Sequence, residues 1–393
     1  MEKKKVLLVV AGGRAVPDVL ALFYVQPQIV IVITSEEGWG GEDAFVEIAT
    51  GRPNHEFLDF IRNVNAYKLN ECMQACDKTA SEIVRNVFAE ADYQLEWVFA
   101  IGSAPKIPGI AAYEVAKKRG IPCLVVDTLH EKFVSLVRDV ETDFDVKEQE
   151  LFHPDVSSYM RMQRRMYRIH KEKIANYRAI VEGWGHIAQV LALSSDIPDF
   201  TFTMHDKKAG ILVPLSPDLN GSPLLHTLEK YKVIEVKSNN KGQQFCAFTS
   251  SDAARFIGTG DWLEVFVWHE ARAAGFADDC QWGYEIIDGR AENELDLALT
   301  YKAQLLIGEC KTDYNPFRGK RNYLDTLDSN AHLLGGHFVT KLFITNQPRA
   351  REGNEAFKAQ ADKRRIVVLT AEDLPNIREH LEREAKHPTY ARI

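Results

Sequence analysis

The sequence predicts an α/β protein of two domains, a Rossmann-like, doubly wound sheet at the N-terminal end and a second α/β domain at the C-terminal end. The chain has 393 residues, which is more than one domain usually contains, since a domain has roughly 100–200 residues. Over residues 6–127, short continuous apolar runs alternate with helical patterns, which is typical of parallel strands covered on both faces. From about residue 252 to the end the patterns alternate again, in the order helix, strand, strand, helix, strand, helix.

Four apolar runs predict the strands of the N-terminal sheet. These runs are Val6–Val10, Ile29–Ile33, Trp97–Ile101 and Cys123–Val126. A helix is expected after the first strand, because apolar residues recur at helical spacing from Val16 to Phe23 and Pro17 suits a first helical turn.

The loops after these strands are the expected ligand site, because ligands of doubly wound sheets lie beyond the carboxyl ends of the strands. The loop residues are Gly12, Gly13 and Arg14, then Thr34, Ser35 and Glu36, then Gly102, Ser103, Ala104, Pro105 and Lys106, and finally Asp127 with Thr128. In the third loop Gly102 permits close approach, Ser103 offers a hydroxyl and Lys106 a positive charge, and the next helix presents N–H groups. The loop therefore fits a phosphate or a base, although an ordinary strand-to-helix turn explains these residues almost as well. Arg14, after Gly12 and Gly13, carries the same ambiguity.

The predicted domains are residues 1–145, a helical linker 146–204 and residues 205–393. The linker contains a basic run formed by Arg161, Arg164, Arg165, Arg168, Lys171 and Lys173. Such a run can bind phosphates, but the apolar stripe Met162, Met166 and Ile169 favours a solvated connecting helix. Residues 205–250 predict short β segments, with turns at Pro214, Pro217 and Asn220–Gly221.

The strongest indication of chemistry is the apolar run Ala303–Gly308, which leads directly into Glu309, Cys310 and Lys311. Because side chains alternate along a strand, Glu309 and Lys311 point to the same face. Asp296 precedes them at hairpin distance, on the expected strand before.

These residue types suit a metal-dependent phosphodiesterase reaction. Mg²⁺ and Mn²⁺ prefer hard oxygen ligands, which Asp296, Glu309 and the carbonyl of Cys310 supply. Glu264, on a predicted helix Trp262–Ala274 that precedes a turn around Gly283 and a strand, is a candidate for an additional or water-mediated ligand. Lys311 positions the attacking water or neutralises charge. A Glu-x-Lys triplet alone is often a solvated charge pair, but its place at the end of an apolar strand favours catalysis.

This arrangement resembles the PD-(D/E)xK nuclease superfamily, whose domain is restriction-endonuclease-like. Residues 260–264, 293–296, 308–312 and 341–346 are similar to the nuclease domain of CRISPR-associated CARF nucleases of type III systems, and the N-terminal sheet is similar to their CARF sensor domain. The loop 102–106 lacks the second glycine and the threonine usual there in the family.

The resemblance implies a cyclic oligoadenylate-activated, metal-dependent endonuclease of antiviral defence. The expected activator is cyclic tetra-adenylate, bound by the strand-end loops of the sensor. The expected cofactor is Mn²⁺ or Mg²⁺, and the substrate is DNA, RNA or both. A ring of repeating units matches a two-fold axis, so a homodimer that shares one ring is expected.

Two other functions compete with this hypothesis. A dinucleotide-dependent enzyme is suggested by Gly12–Gly13 after a strand and by Glu36 at the place of a ribose-binding acid, but the spaced third glycine is absent. A ligand-gated regulator that binds nucleic acid without catalysis explains Asp296, Glu309 and Lys311 poorly.

Composition narrows the remaining possibilities. The net charge of −8 argues against a surface that is basic throughout, but not against local grooves, for which Arg318, Lys320 and Arg321 with 363–365 are candidates. No apolar run approaches the roughly 18 residues of a membrane span, and the start Met1–Lys5 precedes a strand-like run, so a cytoplasmic protein is expected. The close pair Cys72 and Cys76 indicates packed thiols in preference to a zinc or redox site.

Overall fold

A computed structural model describes the chain except for residues 1, 13–14, 35–41, 62–63, 84–92, 128–131, 138–152, 164–165, 169–171, 206, 289–290, 314, 318–322, 336–338 and 391–393. The chain forms two compact units. One contains residues 1–165 with 302–304, and the other contains residues 166–301 with 305–393. Both units are α/β, as the sequence predicts.

The first unit is built on a six-stranded sheet of order β3-β2-β1-β4-β5-β6. Its strands are β1 Glu2–Val10, β2 Ile29–Ile33, β3 Phe57–Ile61, β4 Tyr93–Ala100, β5 Cys123–Asp127 and β6 Lys132–Ser135. The described helices are α1 Val16–Val25, α2 Glu42–Thr50, α3 Leu69–Lys78, α4 Lys106–Arg119 and α5 Val156–Met162, and a short π-helix follows α3 at Thr79–Ile83. All strand pairs are parallel except β5 with β6.

The four predicted strands and helix α1 are confirmed, and the structure adds the two edge strands. Edge strands bury less side-chain surface, so β3 is only half-buried throughout and β6 has exposed side chains such as Val134. Neither strand therefore shows the continuous apolar run that marks a central strand. Cys72 and Cys76 lie buried in the core of this unit, and burial raises the pKa of the Cys76 thiol to about 12, as expected for packed thiols.

The second unit contains a six-stranded sheet of order β15-β14-β13-β12-β11-β7 and a small sheet of order β8-β10-β9. The strands are β7 Met166–Arg168, β8 Val213–Pro214, β9 Ile234–Ser238, β10 Gln244–Phe248, β11 Asp279–Asp288, β12 Ala291–Tyr301, β13 Gln304–Lys311, β14 Val339–Thr345 and β15 Ile366–Leu369. The described helices are α6 Glu172–Glu182, α7 Gly185–Ala192, α8 Ile197–Met204, α9 Pro223–Lys230, α10 Ser251–Gly258, α11 Asp261–Ala274, α12 Tyr323–Leu334, α13 Asn354–Lys363 and α14 Ile377–Lys386, with 3₁₀ turns at Pro217–Leu219 and Ala371–Asn376.

The predicted order of helices and strands after residue 252 alternates correctly, but it contains fewer elements than the structure. It lacks the break between α10 and α11, one strand of the β11–β13 meander, and the final pair β15 and α14. The break consists of Thr259 and Gly260 alone, so the helical pattern continues across it. The turn predicted around Gly283 is wrong: Gly283 lies inside β11, and α11 ends at Gly275, whose φ of +68° terminates the helix.

The segment predicted as a helical linker, 146–204, is divided in the structure. Met166–Arg168 is not helical, because it forms β7 and pairs with β11. Helices α6–α8 pack into the core of the second unit through residues such as Tyr177, Val181 and Phe200, so this unit begins at residue 166 instead of 205.

The basic run of this segment is only partly described. Within the first unit, Arg161 Nη1 donates to both carboxylate oxygens of Glu47, at 2.8 and 2.7 Å. Arg164, Arg165, Ile169 and Lys171 lie outside the described residues, as do the side chains of Met166, Arg168 and Lys173. None of the described helices is long and apolar enough to cross a membrane.

Candidate functional site

The beginning of α11 is held directly against the residue that follows β13. Gly260 precedes α11 with a φ of +96°, and a Cβ atom there would lie 2.1 Å from Thr312 Oγ1. Only glycine permits this approach, because other residues would suffer both the contact and the left-handed backbone. Glu264, in the first turn of α11, is thereby brought to the carboxyl end of β13.

Asp261 fixes the same helix end through three side-chain donors. The Tyr177 hydroxyl donates to Asp261 Oδ2 at 2.7 Å, and Arg255 Nε donates to the same oxygen at 3.2 Å. Thr259 Oγ1 donates to Asp261 Oδ1 at 2.6 Å. Sequence reasoning missed these residues, since Tyr177 is 84 positions from Asp261 and nothing local in the sequence indicates their contact.

Asp296, Glu309 and Lys311 meet at the carboxyl end of β13. Lys311 Nζ lies 3.0 Å from Asp296 Oδ2 and 2.7 Å from Glu309 Oε1, and it donates to the Cys310 carbonyl at 3.0 Å. Asp296 Oδ2 also accepts the Cys310 N–H at 2.7 Å. The structure thus brings together the residues that the sequence singled out, and their catalytic role stays a prediction.

The charges of this cluster favour a cation. Asp296 and Glu309 are only 5% and 7% exposed. Burial and the Asp296 carboxylate raise the pKa of Glu309 to about 7, and the same two causes raise the pKa of Glu264 well above its ordinary value. Burial alone would lower the pKa of Lys311, but Asp296 and Glu309 raise it. Buried carboxylates therefore outnumber the ammonium ion, and additional positive charge would relieve their repulsion.

The donor set fits Mg²⁺ or Mn²⁺. The Lys311 ammonium marks a point at which the oxygens of Asp296, Glu309 and Cys310 converge, and all three are hard oxygen donors. Among the described residues no three His, Cys, Asp or Glu side chains form a ready metal cluster. The fit therefore rests on two carboxylates and one carbonyl, and Glu264 stays a candidate for an additional ligand.

An aromatic ring of α12 lies beside the Lys311 ammonium. Lys311 Nζ lies 5.6 Å from the centre of the Tyr323 ring, and the Tyr323 hydroxyl donates to Asp313. Phe343 of β14 pairs in register with Glu309 and lies 6.1 Å from Tyr323, ring centre to ring centre. This apolar wall strengthens the electrostatic interactions of the cluster by excluding water.

In the first unit, the crevice between β1 and β4 is the point at which strand order reverses, because β2 and β3 lie on one side and β5 and β6 on the other. The Gly12 N–H donates to Ser103 Oγ at 3.1 Å, and Ser103 Oγ donates to the buried Asp18 carboxylate. The Ser103 hydroxyl therefore ties the two loops together. A Cβ at Gly12 would lie 1.7 Å from the Ser103 carbonyl oxygen, so this glycine serves the contact between the loops.

The remaining predicted ligand residues fall into three groups. Thr34 is buried, and a Cβ at Gly102 would lie 2.9 Å from Pro17, so their role in ligand binding stays a prediction. Ala104, Pro105 and Lys106 line a groove of about 1070 Å³ between α4 and β6, together with Tyr113 and Lys117. Gly13, Arg14, Ser35, Glu36 and Thr128 lie outside the described residues, as do Arg318, Lys320 and Arg321 of the second unit.

A family model matches part of the second unit. Residues 250–388 match the family model described as Card1-like, endonuclease domain. This segment is similar to a Card1-like endonuclease domain. It contains Glu264, Asp296, Glu309 and Lys311, and the resemblance to CARF nucleases drawn from the motifs is confirmed for this domain.

Solved structures share the fold of nearly the whole chain. Protein VC1899 from Vibrio cholerae aligns with a TM-score of 0.73 and 18% identity, covering 98% of this chain and 99% of its own. Can2 from Sulfobacillus thermosulfidooxidans, in complex with cyclic tetra-adenylate, aligns with a TM-score of 0.63 and 19% identity, covering 95% and 98%. A comparison with curated proteins found no match. The predicted two-domain α/β fold is therefore confirmed.

Proposed function

We propose that this chain is a metal-dependent endonuclease that a cyclic oligoadenylate switches on. The convergence of Asp296, Glu309 and the Cys310 carbonyl on the Lys311 ammonium, inside a Card1-like endonuclease domain, carries this proposal. A purely regulatory binder has no use for buried, mutually repelling carboxylates beside one lysine. The phosphodiester bonds of DNA, RNA or both are the substrate, and the role is antiviral defence.

The carboxylates of Asp296 and Glu309 and the carbonyl of Cys310 would hold Mn²⁺ or Mg²⁺. When bound, the metal ion lowers the pKa of water and stabilises negative charge on the scissile phosphate. The Cys310 N–H keeps Asp296 oriented. Lys311 donates to the Asp296 carboxylate and the Cys310 carbonyl, oxygens that would ligate the metal. Freed from them, its ammonium would donate to the attacking water or to a phosphate oxygen. Glu264 retains a proton at higher pH than an ordinary glutamate and accepts or donates at the edge of the site.

The activator binds at the strand ends of the first unit. Lys106 and Lys117 supply positive charge to the groove between α4 and β6, and Tyr113 supplies a ring surface for a base. The fold shared with Can2, whose structure contains cyclic tetra-adenylate, makes that ring the first candidate. A homodimer that binds one ring on its two-fold axis completes the proposal.

One set of incubations tests the function. The full chain is mixed with Mn²⁺ and plasmid, single-stranded DNA or single-stranded RNA, each with and without cyclic tetra-adenylate or hexa-adenylate. We expect cleavage only with a ring and metal, and none in chelator. Asp296→Asn protein, matched in purity, controls for contaminating nucleases. Cleavage that persists in chelator or in Asp296→Asn would refute the proposed centre, and cleavage without any ring would refute the switch.

A further inference from the structure

Residues 197–248 form a winged helix, which we call the winged element. The chain runs from helix α8 to the short strand β8, through the 3₁₀ turn Pro217–Leu219 to helix α9, and then through the hairpin β9–β10. The sheet order β8-β10-β9 places the first strand beside the last. This is the connectivity of a helix-turn-helix with a β wing, in which the middle helix is reduced to one turn.

Helix α9 has one buried face and one exposed polar face. Leu224, Leu225 and Leu228 are buried, whereas His226 and Lys230 are exposed. Glu229 is also exposed, and its carboxylate accepts the Val236 N–H of the hairpin at 3.3 Å. The helix therefore presents donors outward, as a helix that reads a DNA groove does.

The wing between β9 and β10 is rigid and basic. The Asn239 side-chain oxygen accepts the N–H groups of Lys241 and Gln243, both at 3.0 Å, which fixes the tip. Lys237 and Lys241 are exposed, and no acidic residue occurs from 236 to 251. Lys237 pairs with exposed Glu235 at 3.1 Å, but water screens such a surface pair.

Charge complementarity identifies the partner. In a chain of net charge −8, the winged element contains six lysines and five acidic residues, and its wing, residues 236–248, contains two lysines and no acidic residue. The winged element lies in the same compact unit as the endonuclease domain. A polyanion that is the substrate of that domain would therefore meet a local positive surface.

We propose that the winged element is a second nucleic-acid contact, which holds duplex DNA for the endonuclease domain. The major groove of B-form DNA admits a helix such as α9, whereas the deep, narrow major groove of duplex RNA does not. Lys237 and Lys241 of the wing contact phosphates and set no sequence preference. This inference rests on the proposed nuclease function and names the form of its substrate.

The test is the salt dependence of binding, measured by fluorescence anisotropy with the full chain in chelator. The probe is duplex DNA of about 30 base pairs, roughly three helical turns. The double variant Lys237→Ala/Lys241→Ala should lower the slope of log K against log salt by about 1.8, because each phosphate contact contributes about 0.9. Lys78→Ala/Lys118→Ala removes the same charge from exposed positions of the first unit and should leave the slope unchanged.

Duplex RNA and single-stranded DNA of the same length should bind more weakly than duplex DNA to the unmodified chain. An unchanged slope in the wing variant, equal loss in the control variant, or equal affinity for duplex RNA would overturn the proposal. A cleavage assay distinguishes this proposal from the nuclease proposal. With Mn²⁺ and a ring, Lys237→Ala/Lys241→Ala should raise KM for plasmid and leave kcat unchanged. If the unmodified chain cuts nothing while the binding results hold, the nuclease proposal fails alone.

Discussion

Lys311 supplies the positive charge that pairs with the carboxylates of the proposed endonuclease centre. Its ammonium contacts Asp296, Glu309 and the Cys310 carbonyl, the groups that we assign to the metal ion. A metal ion and this ammonium therefore compete for the same oxygens. A bound metal ion would therefore free Lys311 to contact the substrate, and loss of a carboxylate should affect activity and stability differently at each position.

We expect Asp296→Asn to lower the cleavage rate by at least about a hundredfold, the usual scale for loss of an electrostatic contact to the transition state. The amide keeps the size of the side chain but carries no charge for the metal. Folding should be little affected, because the Asn oxygen can still accept the Cys310 N–H. Initial rates with saturating Mn²⁺, together with circular dichroism, measure both effects. A rate near that of the unmodified chain would remove Asp296 from the centre.

The raised pKa of Glu309 predicts a pH-dependent stability. Its folded-state pKa of about 7 exceeds its ordinary value of 4.5, so its favourable contribution is fully present below about pH 4.5 and is lost as pH rises through 7. Without metal, Glu309→Gln should therefore gain stability over the unmodified chain between pH 5 and pH 8, on the order of 1–3 kcal/mol. Guanidinium unfolding at both pH values measures this. A difference that does not change with pH would contradict the assignment.

At the scale of elements, the start of α11 against the end of β13 positions the site. The contact depends on Gly260, on the Asp261 hydrogen bonds to Tyr177, Thr259 and Arg255, and on the end of the buried strand β13. Glu264 reaches the carboxylate cluster only because the helix begins there. A small change in this contact should consequently alter activity more than a larger change at the other end of the helix.

We expect Gly260→Ala to lower stability by about 1–3 kcal/mol and to reduce cleavage, because the new Cβ would lie 2.1 Å from Thr312 Oγ1 on a left-handed backbone. Gly275→Ala is the matched control at the other end of α11, where φ is also positive but no atom lies within 4 Å. The control should lose about 1 kcal/mol and retain its cleavage rate. Equal loss of activity in both variants would show that strain, not the contact with β13, is responsible.

At the scale of the whole molecule, the proposed ligand site lies in the first unit and the proposed endonuclease centre in the second. A ring bound in the first unit can activate the second only if it binds one state of the protein better than the other. Mutations should therefore be able to impair ring binding and cleavage separately. The number of rings bound for each chain should show whether two chains share one ring on a two-fold axis.

We expect Lys106→Glu to weaken binding of cyclic tetra-adenylate and to raise the ring concentration needed for half-maximal cleavage, since it reverses a charge that lines the groove. Asp296→Asn should bind the ring normally, which makes it the control for folding of the first unit. Calorimetry should give one ring for two chains, with sedimentation reporting a dimer. A stable monomer that binds one ring for each chain would contradict the dimer proposal.

The sequence by itself determined the features that depend on neighbours along the chain. Apolar runs identified the central strands of the first sheet, the helical period identified α11, and strand alternation placed Glu309 and Lys311 on one face. These features are local because hydrophobic period and side-chain direction are properties of a short segment. Tertiary structure decided which segments meet: that Ser103 ties the Gly12 loop to Asp18, that Tyr177 holds Asp261, and that β10 lies between β8 and β9. Such contacts join distant positions, and they form only when the packing of strands and helices brings those positions together.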